Sequence, residues 1–176
     1  LEHTDYTEDI YIGYRYFTTF DKNVNYPFGF GLSYTAFSLS DTVYSATETD
    51  ITVKTTVTNT GSYAGKEVVQ VYYGAPRIAD GSKLGNPKAE LAGFAKTLLL
   101  APGESETVSV TFPITDMASF DDTGATGSQN KSAYVLEAGK YTLYVGNSVS
   151  DALKNPCGIY SVDTTKKTKQ LHAYCA

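Results

Sequence analysis

Ile51-Thr52-Val53-Lys54-Thr55-Thr56-Val57-Thr58 is the stretch on which the fold turns. Ile51, Val53, Thr55 and Val57 alternate with Thr52, Lys54, Thr56 and Thr58. Successive side chains of a strand point to opposite faces, so this spacing predicts a strand buried on one side and wet on the other. Asn59-Thr60-Gly61-Ser62 carries turn chemistry. Beyond it, Glu67 to Tyr73 reads as another strand, with Val69, Val71 and Tyr73 on one face. Val68 and Tyr72 occupy its second face, which predicts a central strand covered on both sides. Leu91 to Leu100 is a further strand region, ended by Pro102-Gly103. Thr107 to Phe112 alternates, with Val108, Val110 and Phe112 inward. Ser132 to Leu136 and Tyr141 to Val145, joined by Glu137-Ala138-Gly139-Lys140, predict a hairpin-like pair.

Short strands separated by turn signals, with no long helical pattern and no repeat, predict an all-β antiparallel sandwich. The 176 residues hold one ordinary domain plus extensions, and a hydrophobic content of 41% supplies a core. Fifteen tyrosines without a tryptophan favour strands whose rings are buried and whose hydroxyls reach water. A net charge of −5 and a pI near 5.0 argue against a nucleic-acid partner. Lys166, Lys167 and Lys169 are read as a solvated face. No apolar run approaches the ~20 residues of a membrane helix. No leader is recognisable, and the compartment, cytoplasmic or secreted, stays open. Leu1-Glu2-His3 has the look of a cloning remnant.

The residues offer little chemistry. The histidines, His3 and His172, lie near the termini, where neither is set beside a nucleophile. Asp116, Asp121 and Asp122 form an acidic cluster without the alternating oxygen ligands and fixed glycine of a calcium loop. Catalytic, cofactor and metal residues are therefore all assigned as none. Cys157 and Cys175 are either free thiols or a bridge closing the C-terminal segment. Two loops interrupt the strand rhythm: Pro76 to Lys88, read as a mobile excursion carrying Arg77, Asp80 and Lys83, and Phe120 to Lys131. Long loops on a rigid scaffold either bind something or are tolerated insertions.

Outside the strands, Glu8 to Phe20 has Ile10, Tyr14 and Phe17 at helical spacing, with Thr7 as a cap. Thr164 to Tyr174 is a second candidate helix. Between the first of these and the strands stands Tyr26-Pro27-Phe28-Gly29-Phe30-Gly31-Leu32-Ser33-Tyr34-Thr35. Interleaved glycines disfavour regular structure. The stretch is read as an ordered connector with rings buried on both sides, or as an ordinary turn.

That stretch, preceded by Asp9-Ile10-Tyr11-Ile12-Gly13-Tyr14-Arg15-Tyr16-Phe17, resembles the connector of glycoside hydrolase family three, the β-glucosidase and β-xylosidase family. Val57 to Gly61, Val69 to Tyr73, Glu90 to Lys96, Pro102 to Glu104 and Tyr144 to Ser148 extend the resemblance in order. The resemblance implies a fibronectin type III-like sandwich over residues 36–150. Residues 1–35 would be the end of a preceding α/β-sandwich domain and its connector, and 151–176 a linker tail of the kind found in members with permuted domain order. It implies that the catalytic carboxylates, in the barrel and α/β-sandwich domains, lie outside this chain. Its partners would then be those two domains, with a β-glucoside substrate reached through the Pro76 to Lys88 loop. No cofactor, nucleic acid or membrane is implied. Arg15 would pair with a carboxylate of the missing domain, and uncovered N-terminal rings would either drive homodimerisation of the separated chain or leave that segment poorly ordered. An independent carbohydrate-binding module, with Tyr11, Tyr14, Tyr16, Tyr44 and Tyr63 on one face, or an adhesive immunoglobulin-like domain, are the rivals.

Overall fold

The alternation at Ile51 to Thr58 is realised as a strand whose buried side chains are Ile51, Val53, Thr55, Val57 and, one step further, Asn59. The computed structural model describes residues 6–172. A short helix α1 (Tyr14–Thr19) precedes strands β1 (Phe37–Ala46), β2 (Asp50–Asn59), β3 (Val68–Gly74), β4 (Glu90–Lys96) and β5 (Ser105–Pro113). β6 (Ser119–Asp121), β7 (Ala133–Leu136), β8 (Gly139–Gly146), the single turn α2 (Val149–Ala152), β9 (Pro156–Val162) and β10 (Lys166–Gln170) complete the chain.

Every strand pairing is antiparallel. One sheet runs β1-β2-β5, the facing sheet β4-β3-β8-β9, and a small third sheet β10-β7-β6 closes one end. The core lies between the two large sheets. Ile51, Val53, Val57, Val108, Val110 and Phe112 from one meet Val69, Val71, Tyr73, Tyr141, Leu143 and Val145 from the other. Each such side chain contributes roughly 2 kcal/mol of gross burial. Thr55 tolerates its inward place because its Oγ1 donates to Ser40 O at 3.0 Å. Where β1 and β9 approach, Tyr44 donates its hydroxyl to Ile159 O at 2.7 Å. Its ring fills the space that a Cβ at Gly158 would need.

β3 is central, as its two apolar faces predict. Val69, Val71 and Tyr73 point into the main core, while Tyr72, 0% exposed, belongs to a second cluster with Tyr14, Leu91, Val149 and Ala152 on the outer face.

Four expectations are corrected. Ser132 to Leu136 and Tyr141 to Val145 do not pair: β7 joins β6 and β10, and β8 joins β3 and β9. Glu137 lies at the crossing point, 7% exposed and tied to the Pro76 to Lys88 loop, so the chain passes between sheets there instead of turning back. The helix read over Thr164 to Tyr174 is a strand up to Gln170, because Lys166–Gln170 finds the open edge of β7. Residues 156–162 likewise extend the four-stranded sheet, so within the described residues the stretch from 151 onward adds strands to the sandwich instead of running free as a linker. The N-terminal helix is shorter than Glu8 to Phe20 and begins after Gly13, without a side-chain cap from Thr7. Cys175 and Leu1 to His3 lie outside the described residues; among the described residues Cys157 has no disulfide partner, and burial pushes its thiol pKa up to about 11.

Candidate functional site

The outer face of the four-stranded sheet carries the N-terminal segment, and the attachment is built from identifiable contacts. The Tyr14 ring stacks on Phe28 with centroids 4.7 Å apart and meets Tyr72 edge-on at 6.0 Å. Its hydroxyl oxygen accepts the Leu91 amide at 2.8 Å, and burial raises its pKa. Arg15 Nη1 pairs with Glu90 Oε2 at 3.1 Å. Lys88 N donates to Thr19 Oγ1 at 2.9 Å, and Lys88 Nζ to Asp21 Oδ1 at 2.8 Å. Hydrogen bonding from that ammonium holds the Asp21 carboxyl below its ordinary 3.8.

The connector is fastened at the same place. Phe28 O accepts the Val149 amide at 2.9 Å. Gly29, at φ +83°, lies directly on the Gln70 carboxamide, which a Cβ there would have to displace. Gln70 Nε2 donates to Asn147 O at 2.7 Å, and its Oε1 accepts the Tyr72 hydroxyl at 2.6 Å. Six residues on, Thr35 Oγ1 donates to Asn59 Oδ1 at 2.7 Å, while Asn59 Nδ2 reaches Tyr63 O and Leu100 O, both at 2.8 Å.

Two expectations change here. Arg15 finds its carboxylate within this chain, on β4, and not in another domain: the Tyr14 anchor on the Leu91 amide brings α1 beside Glu90. The connector is ordered, but its rings are not buried on both sides. Tyr26, Phe28, Phe30 and Tyr34 are 72%, 46%, 47% and 96% exposed, because the sheet covers only one side of the segment. Ile12, Tyr16, Phe17, Phe20 and Leu32 are exposed with them.

The Pro76 to Lys88 loop is stitched down at its base and free only at its tip. Ser82 Oγ donates to Glu137 Oε2, and Lys83 N to Glu137 Oε1, each at 2.6 Å. Asn86 Nδ2 donates to Pro76 O and Ser119 Oγ to Asn86 Oδ1, each at 2.7 Å. Leu84 packs on Ala133 and Val135 of the small sheet. This is a pinned loop and not a mobile excursion. Arg77, Ile78, Asp80 and Lys83 are presented at its rim, with Arg77 Nε 3.8 Å from Asp80 Oδ2.

Of the acidic cluster, Asp121 is fully buried. Its Oδ1 accepts the Gly124 and Ala125 amides at 2.7 and 2.9 Å, and its Oδ2 the Thr126 amide and hydroxyl at 2.9 and 2.7 Å. Burial alone would raise its pKa; those four donors outweigh it and lower it. Asp121 therefore fastens its own loop. Among the described residues no three His, Cys, Asp or Glu side chains gather as a metal site would require. Tyr11, Tyr14 and Tyr16 sit in the N-terminal segment, Tyr44 on β1 against β9, and Tyr63 after β2, so these five form no single aromatic face. The sequence offers Asn59 and Glu137 only as turn residues and Gln70 only as part of a strand. Asn59 alone carried a signal, as a polar residue at the inward parity of β2.

Comparison with known proteins agrees with this architecture. A family model described as a fibronectin type III-like domain matches residues 67–149. A β-glucosidase of Ruminococcus albus is 47% identical over 167 residues, covering 94% of this chain and 17% of its own length. Among solved structures, β-glucosidase 3B of Thermotoga neapolitana is 43% identical with a TM-score of 0.78, covering 93% of this chain and 21% of that one. A β-glucosidase of Paenibacillus barengoltzii is 42% identical with a TM-score of 0.83, covering 98% and 19%. Sheet order, core and matches define a fibronectin type III-like domain of a glycoside hydrolase. The chain belongs to glycoside hydrolase family three, as the fibronectin type III-like region of its β-glucosidase-type members. It spans about a fifth of the length of the relatives it matches, and their catalytic domains lie elsewhere in them.

Proposed function

We propose that this chain is the accessory domain of a β-glucosidase-type enzyme, inactive by itself, which braces the catalytic domains through residues 6–34. The carrying observation is the two-sidedness of that segment. One side is stapled to the sandwich through Tyr14, Arg15, Phe28 and Gly29, while Tyr16 and Phe20 stay 40% and 47% exposed on the other. Exposed apolar groups at that density mark a contact surface. The same groups would make the separated chain self-associate. The folding unit is residues 36–170, with 6–35 as an adherent extension. The rim of the pinned loop, Arg77, Asp80 and Lys83, faces the substrate entrance.

The test is the pair Tyr16→Ser and Phe20→Ser, in the whole enzyme and in this chain. The whole enzyme should lose more of its melting temperature than the chain, in which both rings are already 40–47% exposed. An enzyme whose melting is unmoved refutes the bracing role. For the loop, Arg77→Ala with Lys83→Ala should raise KM on long glucosides more than on short ones; equal constants assign the rim no substrate contact.

A further inference from the structure

A groove of about 770 Å³ lies between α1, the connector and α2. Its walls are Tyr14, Phe17, Tyr26, Phe28, Val149 and Leu153. Its polar edge is Asp21, Lys22, Asn23, Lys88, Ser150 and Lys154. The size falls within the ~300–1,000 Å³ of small-molecule sites. It is also preformed. Phe28 is locked by its stack on Tyr14 and by its carbonyl on the Val149 amide, and Asp21 is held by Lys88.

We propose that this groove binds the pyranose rings of an oligosaccharide, of the β-linked glucosyl class. A pyranose has an apolar C–H face and a rim of equatorial hydroxyls. The first needs an aromatic wall, and the second needs carboxylate, ammonium and amide partners at the edge. The groove offers four rings beside six polar side chains. A protein segment docking there would want the reverse, since the centres of protein interfaces are depleted in Lys, Asp and Ser. The Asp21–Lys88 pair, 2.8 Å apart, places an acceptor and a donor where adjacent hydroxyls can take one each. Tyr26, largely exposed, stands at the mouth as the ring with most surface left to cover. The glucosyl class rests on the reading of this chain as part of a glucoside-processing enzyme; the geometry itself asks for a neutral polyol with one apolar face.

Titration of the 176-residue chain with cellotetraose, followed by amide NMR, tests it. Shifts should cluster at Lys22, Val24, Lys88 and Ser150 and saturate in the millimolar range. Tyr26→Ala should weaken binding about tenfold, whereas Phe94→Ala, an exposed ring on β4 outside the groove, should leave it unchanged. Absence of groove shifts, or binding indifferent to Tyr26→Ala, overturns the proposal. In the intact enzyme labelled with fluorotyrosine, a Tyr26 resonance that ignores the sugar assigns the groove to a domain contact and overturns it too. The bracing role fails separately, on the melting of the Tyr16→Ser and Phe20→Ser enzyme.

Discussion

Gly29→Ala asks whether the connector is clamped or merely rests on the sheet. At φ +83° an alanine costs roughly 1 kcal/mol in left-handed strain. Its Cβ would also collide with the Gln70 carboxamide. That amide is the end of a flexible side chain, so it will move, but Gln70 is only 6% exposed and both its polar atoms are engaged. Movement breaks the bond to Asn147 O or strands the Tyr72 hydroxyl, which is fully buried; a buried hydroxyl without a partner costs about 1–3 kcal/mol. The total is about 3 kcal/mol. Tyr72 and Gln70 belong to the outer layer and not to the main core, so the loss is confined to the connector's hold. Hydrogen exchange should therefore accelerate about a hundredfold at the Val149 amide, which bonds Phe28 O. Exchange at Val53, inside β2, should stay as it was. Gly31→Ala is the control, because nothing lies within 4 Å of a Cβ there. Unchanged protection of Val149 in Gly29→Ala, or equal loss in Gly31→Ala, would refute the clamp.

Asp121 supplies an acid limb. Its folded pKa is depressed, so its stabilisation is complete above the unfolded 3.8 and is lost as pH falls through the lower folded value. Asp121→Asn should cost about 1–3 kcal/mol at neutral pH, because an amide nitrogen cannot accept from Thr126, and should flatten the stability curve below about pH 4 in urea titrations. A parallel downward shift with the acid slope intact counts against this role. Glu137→Ala should free the base of the Pro76 to Lys88 loop by removing two charge-assisted bonds. Trypsin should then cut after Lys83 faster while the β2 and β3 peptides survive; an unchanged digestion pattern contradicts the pinning.

The sequence showed some of this architecture plainly and hid the rest for physical reasons. β2, β3 and β5 are readable because one face meets the core and the other meets water or a second layer, so side-chain parity reports burial directly. β10 has no such contrast. Lys-Lys-Thr-Lys-Gln is a strand because an edge of β7 is open to it, and that edge is set by a segment some thirty residues earlier. β9 starts at Pro156 and carries Gly158, both poor strand signals, and only the approach of Tyr44 gives the glycine a reason. Glu137-Ala138-Gly139-Lys140 has turn composition, yet the Glu137 carboxylate is claimed by Ser82 and Lys83, which no local pattern reveals. Arg15 was legible as an anchor but not its partner Glu90, which is 75 residues away. The groove escaped for the same reason, since its walls come from α1, the connector and α2 together.

The two outer faces of the sandwich argue for a direction of docking. On the β1-β2-β5 sheet the outer face is a ladder of hydroxyls. Thr52 meets Thr111 at 2.9 Å, Thr58 meets Ser105 at 2.8 Å and Thr56 meets Thr107 at 3.5 Å. These groups are short, mutually bonded and wet, and beside them Val43 is the one large apolar side chain exposed on this face among the described residues. On the β4-β3-β8-β9 sheet the outer face instead holds Tyr72 and Leu91 and is covered by α1, the connector and α2. Rings left over from that cover, Tyr16 and Phe20 among them, keep two-fifths or more of their surface exposed. The molecule is therefore polarised: one sheet is finished by its own hydroxyls, and the other continues outward through an aromatic layer that ends unfinished. A neighbouring domain gains more free energy by completing the second face than by approaching the first, and that asymmetry supports the proposed bracing through residues 6–34.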